Sequence, residues 1–320
     1  MPNFTRITEF ILMGFSDTQE LQTVCGVFLL VMYLEVLMSN FLIITLITLD
    51  LKLQTPMYFF IKNLSLLDIF LMSVSIPSFF VNSIIHNSSI SFLGCAFQTL
   101  FMTSFLASEV FFLTAMSYDR YVAICCPLHY EAIMSSCTCM LMMCVSWATG
   151  LLFGILYTAV TFSMNFCNSN VILQFFCDVP SLLRISCSKT LVVIYTSLGL
   201  GMCLGMSCFI CLMISYFYIF CTVMKISTTK GQSKVFSTCI PHLTVFTIFF
   251  ATACFVYLKP PSKTPLVTDK LFSVLYTVLP PALNPVIYSL RNSDIKCALK
   301  RLQQNLCSKD SLHLILQTIC

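Results

Sequence analysis

Seven stretches of this chain are long and apolar enough to cross a membrane. A spanning helix needs about 20 mostly apolar residues, and such runs occur at roughly 24–49, 57–84, 93–125, 138–162, 191–222, 234–258 and 267–290. The third and fifth exceed the minimum, so they are expected to tilt or protrude. Breakers and charges gather between the runs, as at Asp50-Leu51-Lys52, His86 to Ser89 and Cys167 to Lys189. Of the 320 residues, 58% are hydrophobic and 9% charged, whereas a soluble domain carries about 25% charged residues. A soluble fold could not hide that much apolar surface, so lipid is the expected solvent. With no repeat and no low-complexity tract, the expected fold is one all-α membrane domain, a seven-helix bundle over residues 24–290. Residues 1–23 form an N-terminal segment and 291–320 a tail.

Charge sets the expected orientation. With the N-terminus outside, the inner side carries eleven of the 17 Lys and Arg and the outer side six, as basic residues prefer. Asn3-Phe4-Thr5 is then a usable glycosylation sequon at Asn3. Cys95, Cys167, Cys177 and Cys187 also fall outside, where disulfides persist. Four cysteines allow three pairings, and the sequence alone chooses none. Most of the 19 cysteines read as small apolar residues in helices. Net charge is +4 with no dense basic run, which argues against nucleic acid as a partner. The tail opens on alternating basic and apolar residues, with Ile295, Ala298, Leu299 and Leu302 against Lys296, Lys300 and Arg301. That pattern suits an eighth amphipathic helix on the inner leaflet, ending near Cys307, a palmitoylation candidate.

Ionisable residues inside a span are costly and point to function. Here they are Glu35, Asp68, Glu109 and the pair Asp119-Arg120. The pair sits at the inner end of the third span, and by itself fits an interfacial ion pair as well as a working site. Asp68 and Glu109 are expected to face each other near Asn284. Two carboxylates in low dielectric need a proton or a cation between them. Glu35 is five residues before Asn40, which at about 100° per residue puts it on another helix face, and it carries no assignable role.

The residues around these acids form a recognisable set. Met116 to Cys125 (MSYDRYVAIC), followed by Pro127-Leu128-His129-Tyr130, resembles the odorant-receptor signature at the end of the third helix. Pro56 to Phe60 with Asn63-Leu64-Ser65 and Asp68, Ser215-Tyr216, Lys234 to Cys239 with His242-Leu243, and Pro281 to Asn292 resemble other stretches of that family, in the same order. The resemblance covers about Phe10 to Arg301 and is to the odorant receptors, within the rhodopsin-like G-protein-coupled receptors.

The resemblance implies a switch. At rest the arginine matching Arg120 is held by its neighbour Asp119. On activation the sixth helix swings out and the arginine turns to Tyr216 and Tyr288, with His242, Asn284 and the kink at Pro285 in the same machinery. A heterotrimeric G protein of the stimulatory olfactory type then enters and cyclic AMP rises. The resemblance also implies Cys95–Cys177 and Cys167–Cys187 disulfides, and a sodium ion at Asp68 and Glu109, with no other cofactor. The implied ligand site lies among the outer halves of the third, fifth, sixth and seventh spans, at Met102, Thr103, Leu106, Ala107, Leu200, Leu204, Cys254, Tyr257 and Thr277. These are mostly apolar with a few hydroxyls, which suits a small, volatile, weakly polar odorant. The expected location is the plasma membrane, multi-pass, with an extracellular N-terminus. Ser39, Phe250-Ala251 and Cys126 depart from the family pattern and bear on ligand preference and basal activity. A chemosensory receptor outside the nose is the alternative. A transporter or channel is the runner-up class, but internal repeats and interrupted helices are missing. An enzyme is not expected, since no metal-protease, nucleophile-elbow or phosphate-loop motif occurs.

Overall fold

The computed structural model describes residues 8–15, 18–85, 88–166, 170–186, 191–258, 267–291 and 294–304. In chain order the elements are β1 (Glu9–Leu12), α1 (Gln19–Leu49), α2 (Pro56–Ile85), β2 (Ser89–Ser91), α3 (Phe92–Cys125), α4 (Tyr130–Ile133), α5 (Ser136–Phe162), β3 (Val171–Ile172), α6 (Val179–Ile185), α7 (Leu191–Val223), α8 (Thr229–Leu258) and α9 (Val267–Arg291). Among the described residues, the seven long helices α1, α2, α3, α5, α7, α8 and α9 coincide with the seven apolar stretches. α1 and α8 start five residues earlier than hydropathy suggests, because their first turns are polar and add nothing to an apolar run. Six of the seven are long and apolar enough to span, and α9 holds the shorter apolar segment Leu271–Ile287. Their outer faces are apolar, with Met38, Phe217 and Leu152 exposed, a surface that water would not tolerate.

Local chemistry explains the helix starts. Ser91 Oγ accepts from the Gly94 N–H (3.1 Å) and Ser135 Oγ from the Thr138 N–H (3.3 Å), capping α3 and α5. Pro77, Pro241, Pro280, Pro281 and Pro285 lie within helices, as bundles in lipid allow.

α3 runs through the middle, packed on α2, α5 and α7, and its pairing with α5 is the most extensive. That closeness comes from Gly150 and Gly154, four residues apart on α5. A Cβ at Gly150 would stand 2.7 Å from the Ser104 carbonyl oxygen and collide with Ser108 Oγ; one at Gly154 would stand 2.6 Å from the Leu100 carbonyl oxygen. Small residues at this spacing let two helices approach closely without a hydrophobic drive between them.

The outer end carries structure beyond a plain N-terminal segment. β1 pairs antiparallel with β2 and parallel with β3. Phe10 is fully buried there, stacked on Phe92 (6.0 Å) and edge-on to Phe166 (5.4 Å). At the inner end a helix covers residues 294–304. Ile295 and Ala298 are buried while Lys296 and Lys300 are exposed, the expected amphipathic division. Arg301 pairs with Asp50 at the end of α1 and holds that carboxyl below its ordinary value. Tyr58 donates to Asp294 at 3.0 Å. Cys307 lies outside the described residues.

Candidate functional site

A cavity of about 520 Å³ opens between α3, α5, α7, α8 and α9. Its walls are apolar, with the Thr103 hydroxyl and the thiols of Cys208 and Cys254 among the few polar groups. α3 supplies Thr103, Leu106, Ala107, Val110 and Phe111, a run at helical spacing that turns one stripe inward. α7 supplies Gly201, Leu204, Gly205 and Cys208, and α8 supplies Phe249, Phe250, Ala253 and Cys254. Phe250 stacks on Phe209 at 4.8 Å.

Five of the nine expected lining residues reach the cavity: Thr103, Leu106, Ala107, Leu204 and Cys254. Three do not. Met102 is buried one step round α3, in a cluster with Leu29 and Phe175. Leu200 is one residue off the inward stripe of α7, and is 43% exposed to the outside of the bundle. Thr277 is fully buried, and its hydroxyl donates to the Ser273 carbonyl at 2.8 Å. One residue along a helix is about 100° of rotation, enough to leave a wall. The Tyr257 side chain lies outside the description. Phe153 and Tyr157 of α5 and Tyr276 of α9 also line the cavity. The signal for α5 was Gly150-x-x-x-Gly154, which draws that helix in.

The cavity has a pinned roof. Cys95, at the start of α3, is disulfide-bonded to Cys177, with both fully buried. The Cys177 N–H donates to Gln98 Oε1 at 2.9 Å, and Gln98 Nε2 donates to the Val74 carbonyl at 3.1 Å. Phe175 and Phe176 follow underneath, and Phe176 meets Tyr276 of the cavity wall at 6.5 Å. Gln174 Nε2 donates to Ser273 Oγ at 2.8 Å and ties the loop to α9. Asp178 caps α6 through the Ser181 N–H, and burial pushes its carboxyl up to about 6. Cys167 and Cys187 lie outside the described residues, as does Asn3.

Below the cavity, three polar side chains meet in the core. Asn284 Nδ2 donates to both Asp68 oxygens (3.0 and 3.1 Å) and to Glu109 Oε1 (3.4 Å). All three residues are buried. Among the described residues Asn284 Oδ1 is buried without a hydrogen bond. Two carboxyls and a spare amide oxygen are hard oxygen donors, the kind that suits a hard cation. The residues therefore fit a sodium ion in kind.

At the inner end, the expected Asp119–Arg120 contact takes another form. Tyr130 of α4 donates to Asp119 Oδ1 at 2.8 Å, and the Arg120 guanidinium donates to Met57 Sδ on α2. Adjacent residues on a helix diverge by about 100°, so each side chain takes the partner on its own side. Tyr216 Oη and His242 Nδ1 are 2.7 Å apart, tying α7 to α8. Pro285 is buried in α9 beside Asn284. The Tyr288 side chain lies outside the description. The structure thus brings Tyr216 to His242, and Asn284 to Asp68 and Glu109.

Comparison with known proteins agrees with this layout. Residues 29–307 match the family described as Olfactory receptor. The chain is 69% identical to human "Olfactory receptor 14A2" over 304 residues, covering 95% of this chain and 97% of that one. It is 50% identical to human "Olfactory receptor 14A16" (93% and 96% covered) and 47% identical to human "Olfactory receptor 14K1" (95% and 97% covered). With seven apolar helices, a cavity among them and a match over most of its length, the chain belongs to the olfactory receptor family of seven-helix, G-protein-coupled membrane receptors.

Proposed function

We propose that this odorant receptor takes small, volatile, weakly polar molecules into the α3–α9 cavity and signals through a stimulatory olfactory-type G protein, raising cyclic AMP. As a family member it is a multi-pass membrane receptor with an odorant ligand and a G-protein partner, and it is not an enzyme. The observation that carries the finer reading is the cavity itself. About 520 Å³ with mainly apolar walls suits a small ligand, and the Thr103 hydroxyl offers one polar anchor. Among the described residues no carboxylate stands at Met102 or along the cavity, so a charged amine finds no partner among them.

The excess of Lys and Arg on the inner side supports a plasma-membrane orientation with the N-terminus extracellular. Asp119, Arg120, Tyr216, His242, Asn284, Pro285 and Tyr288 then form the switch, a two-state bundle biased by ligand outside and partner inside. Asp68 and Glu109, with Asn284 between them, would hold a sodium ion. Bound there, it would supply the positive charge that two buried carboxylates need, and so favour the resting state.

The test has two arms. A diverse volatile library is screened on cells carrying the receptor and a cyclic AMP reporter, and hits are repeated on Arg120→Ala. The wild type should respond to weakly polar volatiles, and the variant should reach the surface but stay silent. Undiminished signalling by the variant would overturn the switch. A response confined to charged amines would overturn the ligand class.

A further inference from the structure

The lipid-facing side of α1 carries one acid. Glu35 is exposed, and among the described residues no hydrogen bond or ion pair reaches its carboxyl. The apolar part of α1 runs from Val24 to Leu49, so Glu35 lies about 16 Å from one end and about 21 Å from the other at ~1.5 Å per residue. That puts the acid near the middle of the hydrocarbon layer, where an ionisable side chain is expensive and calls for a partner.

The residues around it are regularly spaced. Phe28, Val31, Met38 and Leu42 are 62%, 57%, 73% and 41% exposed, and with Glu35 they follow alternating steps of three and four. This is the seam spacing of two helices packed at a small left-handed angle. Val36, Asn40, Ile43 and Ile47, on the other side of α1, are buried in the bundle, so the seam is a separate face.

We propose that this face joins two copies of the receptor, α1 against α1, with the two Glu35 carboxyls hydrogen-bonded to each other across the two-fold axis. Both copies enter the membrane the same way round, so the axis lies along the membrane normal. A two-fold contact is isologous, which brings residue 35 of each copy to the same depth. In its acid form a carboxyl holds one O–H donor and free acceptor oxygens, so it complements itself. α1 has no Lys or Arg between Val24 and Leu49, so no basic side chain of an α1–α1 contact competes for the acid at that depth. One polar pair within an apolar seam also fixes register and copy number.

The test uses the full-length receptor in cell membranes, with a photo-crosslinking phenylalanine analogue replacing Met38 or, as control, Ile43. Position 38 should yield an adduct of two receptor masses, and position 43 should yield none. Glu35→Leu should cut the position 38 adduct at least fivefold at equal surface level. Glu35→Gln, whose amide both donates and accepts, should keep most of it. Glu35→Leu places an apolar side chain in lipid and leaves the bundle contacts untouched. If it nonetheless fails to reach the surface, the mass of the wild-type adduct still decides. An adduct of another mass, which would mean a different membrane protein on this face, overturns the proposal. So does no adduct at position 38, or a Glu35→Leu adduct equal to wild type.

Discussion

Replacing Cys95 with Ser breaks the disulfide that pins the cavity roof, and its effect can be sized from the fold. Cys95 and Cys177 are 82 residues apart. If everything between them were free in the unfolded state, closing that loop would be worth about 4.5 kcal/mol by loop entropy. In lipid, α3 and α5 stay helical and both cysteines stay on the outer side. The free part is then nearer the segment from Ser163 to Asp178, and a loop of that order gives about 3 kcal/mol. Lost with it is the alignment of the Cys177 N–H on Gln98, worth about 1 kcal/mol more. A loss of about 3–4 kcal/mol is a large share of a marginal stability, so Cys95→Ser should fail to reach the cell surface. Flow cytometry against an N-terminal tag measures this, and thermal inactivation of purified receptor gives the magnitude. Cys177→Ser should match Cys95→Ser, and the double variant should be no worse than either, because one bond is lost in all three. Normal delivery of Cys95→Ser, or costs that add in the double variant, would refute the reasoning.

Other expectations follow from single contacts. His242→Phe removes the buried partner that holds Tyr216 across α7 and α8; at about 1–3 kcal/mol, basal cyclic AMP should rise several-fold, and an unchanged or lower baseline would count against the clamp. Gly150→Leu sets a side chain against the Ser104 carbonyl and Ser108. It should cost about 1–3 kcal/mol or more by overpacking, seen as a lowered inactivation temperature, while Ala148→Leu on the exposed side of α5 should be near neutral. Asp178 gives a pH dependence. Burial raises its carboxyl to about 6, against about 4 in an unfolded chain. The folded receptor therefore binds the proton more tightly, so this group's contribution is full below about pH 4 and fades as pH rises through 6. Thermal stability should increase when pH is lowered from 7 to 5, by about 1 kcal/mol of the roughly 3 kcal/mol that this group supplies below pH 4, and Asp178→Asn, which keeps the cap, should flatten that part of the profile.

The seven helices were readable from residue order alone, because the length of an apolar run is a local property and the bilayer sets the length required. Residue order also marked which polar residues would matter, since an acid or arginine inside a span is conspicuous wherever it ends up. Asp68 and Glu109 were legible in that way, and the fold brought them together on Asn284. Direction came from the packing of the helices. Met102 and Leu200 differ from true lining residues by one step along a helix, and a rotation of about 100° separates wall from lipid or core. Asp119 and Arg120 are neighbours in sequence, yet they face Tyr130 and Met57, because partners are chosen by the helices opposite. The strand Glu9–Leu12 was invisible for the same reason. Its four residues pair with segments about 80 and about 160 positions away, and no local pattern reports a contact that distant. Glu35 shows both limits: the sequence marked it as anomalous, and only the packing of α1 turned it outward to face whatever the membrane brings.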